Sequence, residues 1–102
     1  MARIDCIPVL RALGEPNRMR IVRLLLKQQL GVDEISQKLG LSEYNVSKHL
    51  RILKEAGLLE MQKRGKRHLY SVPPALKAQI KAKAKVLDLG CCTFHFDKLL
   101  PT

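Results

Sequence analysis

A mainly α domain with one small β-hairpin, in the order α-α-α-α-β-β-α, is the fold class this sequence predicts. Three observations predict it. Apolar residues recur at helical spacing over four successive segments, the period falls to two after Gly57, and helical spacing returns after Pro73-Pro74. Glycines and prolines fall between these segments and supply the punctuation.

The first segment, residues 4 to 13, reads as a helix that stops at Gly14. Glu15-Pro16 opens the second, because proline suits the first turn of a helix. Ile21, Leu24 and Leu25 then mark its buried side, with Arg18, Arg20 and Lys27 elsewhere around it, over residues 16 to 28. Val32, Ile35 and Leu39 carry a third helix, and Gly40 stands where a left-handed residue ends it at least cost. Ser42 is a good N-cap for a fourth helix over 43 to 56, whose stripe is Val46, Leu50 and Leu53. Two short helices joined by a glycine-containing turn form a helix-turn-helix pattern. Leu59 and Met61, then His68, Tyr70 and Val72, alternate about an Arg64-Gly65-Lys66 turn and predict the hairpin. Leu76, Ile80, Ala84 and Leu87 place the last helix at residues 74 to 88. Phe94, Phe96, Leu99 and Leu100 make the tail too apolar for a loose end, so residues 91 to 102 are expected to fold back on a body formed by residues 1 to 90.

With 102 residues the chain forms one domain whose core is modest, and a partner subunit would help cover it. The 19 Lys and Arg against 9 Asp and Glu leave a net charge of +10, which favours a polyanion, nucleic acid first. A membrane surface is disfavoured: no helix is lysine-rich on one face and aromatic on the other, Trp is absent, and the apolar runs are too short to span a bilayer. Three cysteines, an odd number, and no signal-peptide pattern before the first helix suit a reducing, cytoplasmic setting.

The fourth helix carries the chemistry. Its buried stripe turns Tyr44, Asn45, Ser47, Lys48 and Arg51 outward. Asn can pair bidentately with adenine, Arg and Lys with guanine, and Ser with bases or phosphates. With the N-cap Ser42, this face is suited to the major groove of double-stranded DNA. Such residues alone would read as a solvated helix face, but they follow a glycine turn and precede a basic hairpin. There Lys63, Arg64, Lys66, Arg67 and His68 would repel one another unless phosphates or solvent ions neutralise them, which makes Arg64, Lys66 and Arg67 backbone contacts. His49, beside the apolar stripe, reads as a packed or phosphate-contacting histidine rather than a catalytic one.

The element order, with the segments Ala12 to Ile21 and Leu41 to Leu59, resembles the ArsR/SmtB family of winged-helix repressors over roughly residues 8 to 90. The resemblance implies a homodimer paired through the first and last helices, which binds a two-fold symmetric operator and releases it when an effector arrives. One effector site of that family uses thiols at the start of the third helix, where Gly31 and Asp33 stand here. Another uses acids and histidines on the last helix, where residues 74 to 88 offer only Asp88. Both are therefore expected to be absent. The adjacent Cys91 and Cys92 resemble a subset of arsenic-responsive members with vicinal C-terminal cysteines and a third thiol, for which Cys6 is the candidate. Soft thiolates select thiophilic ions, so arsenite is the expected effector, with no cofactor permanently bound.

Other readings of the thiols stay open. They could form a redox or sulfur-species switch, or pack inertly in a protein that binds DNA constitutively. A Cys91–Cys92 disulfide is disfavoured, because neighbouring Cα atoms lie about 3.8 Å apart and relaxed disulfides want at least about 4.4 Å. Zinc would need a fourth ligand such as His95. The segment Val86 to Cys91 looks like the first glycine-rich motif of S-adenosylmethionine-dependent methyltransferases, but no Rossmann unit can form around it and Cys92 stands where a glycine is expected. No nucleophile, base and pocket come together elsewhere, so no enzyme activity is expected.

Overall fold

The computed structural model describes residues 6–82, 86–88 and 93–96. Helix α1 (Cys6–Leu13) buries Val9, Ala12 and Leu13 at i, i+3, i+4 spacing and leaves Ile7 and Leu10 exposed. Helix α2 (Pro16–Leu25) starts with Pro16 in its first turn, and the Glu15 carboxylate accepts the Arg18 backbone N–H at 3.2 Å, capping one of the orphan donors of the helix start. It ends at Leu25, three residues before the sequence boundary, with Leu26 as its C-cap.

Helix α3 (Val32–Leu39) and helix α4 (Glu43–Glu55) pack together across a tight turn. Gly40 takes φ 70°, a conformation in which a Cβ would be strained, and its N–H reaches Ser36 O at 2.9 Å. Arg20 on α2 donates to Leu39 O at 3.3 Å and so satisfies a terminal carbonyl of α3. Ser42 Oγ accepts the Asn45 N–H at 3.1 Å and opens α4, as its position predicts.

Strands β1 (Glu60–Arg64) and β2 (Arg67–Ser71) form an antiparallel hairpin in which Arg64 faces Arg67 across the turn. A bridge between Leu30 and Tyr70, with N···O distances of 3.1 and 2.8 Å, attaches β2 to the segment leading into α3. The hairpin is therefore tied to the helix-turn-helix rather than standing free.

The last helix is where the sequence reading needs correction. Helix α5 (Pro74–Ala82) is shorter than the expected 74–88, and Val86–Asp88 is a strand, β3, paired antiparallel with β4 (Thr93–His95). Leu87 is buried from a strand between two more exposed neighbours, a period of two rather than of 3.6. Phe96 is 1% exposed and joins the common core of Ile21, Leu25, Leu50, Leu53 and Ile80, with Phe94 packed against it. That core contains no polar or charged residue among the described ones.

Candidate nucleic-acid interface

Helix α4 places its side chains by simple periodicity. Val46, Leu50 and Leu53 are fully buried, so Tyr44, Asn45, Ser47, Lys48 and Arg51 stand on the opposite, exposed face together with the capping Ser42. Tyr44 is 73% exposed and lies under the Lys48 ammonium, 5.4 Å from Nζ to the ring centroid. That contact is within cation–π range and holds a long, flexible cation near the start of the helix. The face offers hydroxyl, amide, ammonium and guanidinium groups at one end of an exposed helix, the donor and acceptor set that base edges and phosphates engage.

The hairpin adds positive charge. Lys63, Arg64, Lys66, Arg67 and His68 are exposed, and the strand register sets Lys63 opposite His68 and Arg64 opposite Arg67. The facing guanidinium groups of Arg64 and Arg67 are like charges across the ladder, which is destabilising, and an anionic backbone would relieve it.

Two of the residues expected to touch DNA are engaged inside the chain. The Arg67 guanidinium donates to Glu34 Oε1 at 2.5 Å and lies 3.8 Å from Asp33 Oδ1, both in the first turn of α3. Glu34 also accepts the Gly31 N–H at 3.0 Å. That backbone hydrogen bond, and after it the Arg67 guanidinium, holds the Glu34 carboxyl below its ordinary pKa. The α3 acids explain why Arg67 differs from Arg64 and Lys66: it has carboxylates within reach.

His49 is turned toward α2. Its side chain is 17% exposed, with Nε2 3.6 Å from Glu15 Oε2 and Nδ1 3.4 Å from the Arg18 guanidinium. Arginine can only donate, so Nδ1 is the acceptor and Nε2 carries the proton facing Glu15. Burial lowers the pKa of His49, and the nearby Glu15 carboxylate offsets part of that effect. In the sequence Arg18 stands off the apolar stripe of the second helix, within the segment Ala12 to Ile21 that carries the family resemblance. The helix-start signal at Glu15-Pro16 marks its neighbourhood, but the contact with His49, 31 residues away in the chain, leaves no local trace.

Cys6, in the first turn of α1, is partly buried and disulfide-bonded. Cys91 and Cys92, the chain's other cysteines, lie outside the described residues. No helix among the described residues is long and apolar enough to cross a membrane.

Comparison with known proteins supports a regulator of transcription. The profile of bacterial regulatory proteins of the arsR family matches residues 15–61, the stretch from the cap of α2 to β1. The chain is 29% identical over 72 residues to the biofilm growth-associated repressor of Xylella fastidiosa, covering 71% of this chain but only 63% of that protein's length. It is 30% identical over 89 residues to a probable mercury resistance operon repressor of Streptomyces lividans, covering 81% of this chain and 71% of that one. A homodimeric winged helix-turn-helix DNA-binding domain from Mycobacterium bovis superimposes with a TM-score of 0.68 at 28% identity, covering 76% of this chain and 72% of the other. The first two are named repressors and the third a DNA-binding domain, and the winged helix-turn-helix architecture is the one expected from the sequence.

Proposed function

The chain belongs to the ArsR family of bacterial regulatory proteins, and from that membership we propose that it is a homodimeric transcriptional repressor that binds a two-fold symmetric operator and releases it when its cysteines meet a thiophilic species. The exposed polar face of α4, opposite a fully buried apolar stripe and beside a basic wing, is the observation that carries the DNA-binding part. In this reading Asn45, Ser47, Lys48 and Arg51, with Tyr44, read the major groove. Ser42, Arg64 and Lys66 hold phosphates. Ile7 and Leu10, apolar and exposed on α1, belong to the face that a second copy covers.

The effector is read from sulfur chemistry. Reduced Cys6, Cys91 and Cys92 offer three soft ligands, which suit a three-coordinate metalloid such as arsenite, and a relative named for mercury resistance agrees with a soft-ion signal. The disulfide at Cys6 favours a second reading. A sulfur held in a disulfide has no thiolate to give an ion, so oxidation of two thiols by a peroxide, with two water molecules released, would itself be the signal.

One titration tests the proposal. A fluorescent operator duplex is bound by the protein, then titrated with arsenite under reducing conditions and separately with hydrogen peroxide. Release by arsenite supports the metalloid reading, and release by peroxide alone supports the redox one. Failure of the protein to prefer any duplex over bulk DNA would remove the operator reading altogether.

A further inference from the structure

Arg18 is bound by three elements at once. Its Nε donates to Ala12 O at 2.6 Å and Nη2 donates to Arg11 O at 3.2 Å, so the guanidinium satisfies two carbonyls at the C-terminal end of α1. Its own backbone N–H is held by the Glu15 cap of α2. Its remaining amino group, Nη1, reaches His49 on α4, in the middle of the helix whose other face is exposed for DNA. A planar fork with five fixed donors can make these bonds together, whereas a lysine ammonium on a flexible stem cannot reproduce them.

We propose that Arg18 is the positioning residue of the DNA-binding helix: its guanidinium, through His49, sets the seat of α4 against the end of α1. This rests on the operator-binding reading and assigns Arg18 no contact with DNA. The device requires His49 to be neutral. A protonated ring would turn an N–H toward the guanidinium at Nδ1, placing donor against donor and charge against charge. The charged groups acting on His49 are Glu15 and Arg18 from the start of α2 and Lys48 from α4 itself. Glu15 alone among them favours the protonated ring, and burial opposes it.

The test measures operator affinity by anisotropy, using a duplex selected from random sequence by the wild-type protein. Arg18→Lys should bind about tenfold more weakly, the size of one lost hydrogen bond to a charged group, with the same salt dependence as wild type because no phosphate contact is lost. His49→Leu, which removes the acceptor, should weaken binding similarly. The double variant should be no weaker than the weaker single one, since both changes break the same contact. His49→Asn, whose Oδ1 stands in for Nδ1 but cannot be protonated, should rescue most of what His49→Leu loses. It should also lack the fall in affinity that wild type shows as pH drops through the folded pKa of His49, which burial holds below its ordinary value.

Arg18→Lys binding as wild type does, a salt slope reduced by about one unit per subunit, or fully additive losses would each overturn the proposal. If Arg18→Lys unfolds at the assay temperature, the pH profiles decide: coincident curves for wild type and His49→Asn would overturn it. Wild-type protein without operator preference would instead overturn the DNA reading, so the two failures are distinguishable.

Discussion

What a basic side chain does here depends on the carboxylates within its reach. Lys48 and Arg51 have no carboxylate partner in the described contacts and stand on the exposed face of α4, whereas Arg67 is held by Glu34 and Asp33. Lys48→Ala or Arg51→Ala should therefore cost about 1–3 kcal/mol of operator binding while leaving the thermal midpoint unchanged. Unaltered affinity in both would show that α4 does not read DNA. Arg67→Ala should act through placement of the wing, so Glu34→Gln should reproduce its effect on operator affinity. A loss seen only for Arg67→Ala, with a salt slope lower by about one unit per subunit, would show that Arg67 contacts a phosphate. Titration adds a further check. Glu34 is held below its ordinary pKa of 4.5, chiefly by the Gly31 N–H, so its contribution to stability is present above that value and lost as pH falls through the folded pKa. His49 is also lowered, from 6.5, by burial; below that pH the unfolded chain binds a proton that the folded chain resists, and stability falls with pH. Denaturant unfolding from pH 7 downward should show the His49 component first, and His49→Asn should lack it. The exposed face of α4 was legible because periodicity alone dictates it. The engagement of Arg67 and His49 was not, because Glu34 and Glu15 lie 33 and 34 residues away in the chain.

Among the elements, those with strong end signals were readable and the last helix was not. Gly40 and Ser42 bracket the turn between α3 and α4 and leave little choice of register. Beyond Pro74, Leu76, Ile80, Ala84 and Leu87 fit a helical stripe, yet Val86-Leu87-Asp88 fits a strand equally well, and a short apolar run does not discriminate between the two. Pairing decides it: Leu87 faces Phe94 across β3 and β4, and Phe96 enters the core immediately after. A short two-stranded ribbon is marginal by itself, so burial of Leu87 and Phe96 must supply its stability. Phe96→Ala should therefore cost about 3–5 kcal/mol, the range for removing a buried aromatic ring. Loss of less than about 1 kcal/mol in chemical denaturation would mean that the C-terminal hairpin does not share the main core.

In the proposed reading, assembly and signalling meet on α1. That helix exposes Ile7 and Leu10, carries the disulfide-bonded Cys6 at its start and is gripped at its end by Arg18. A shift at Cys6 would thus reach both the apolar face proposed for the partner subunit and the seat of α4. An effector can empty the operator only by binding more tightly to a geometry that holds DNA poorly, so effector and DNA must weaken each other by the same factor. Sedimentation equilibrium at micromolar concentration should give a dimer, and a monomer would remove the two-fold operator with it. Cys91→Ser or Cys92→Ser should leave operator binding intact and abolish release by arsenite in reduced protein, because serine keeps nearly the size but not the soft ligand. Cys6→Ser separates the two chemistries. If a metalloid needs a third ligand, arsenite should act only at higher concentration; if the Cys6 disulfide is the signal, release by peroxide should vanish in this variant. Peroxide release that persists in Cys6→Ser would rule out its disulfide as the switch. Arsenite release at the wild-type concentration in the Cys91→Ser, Cys92→Ser double variant would rule out the vicinal pair as the sensor.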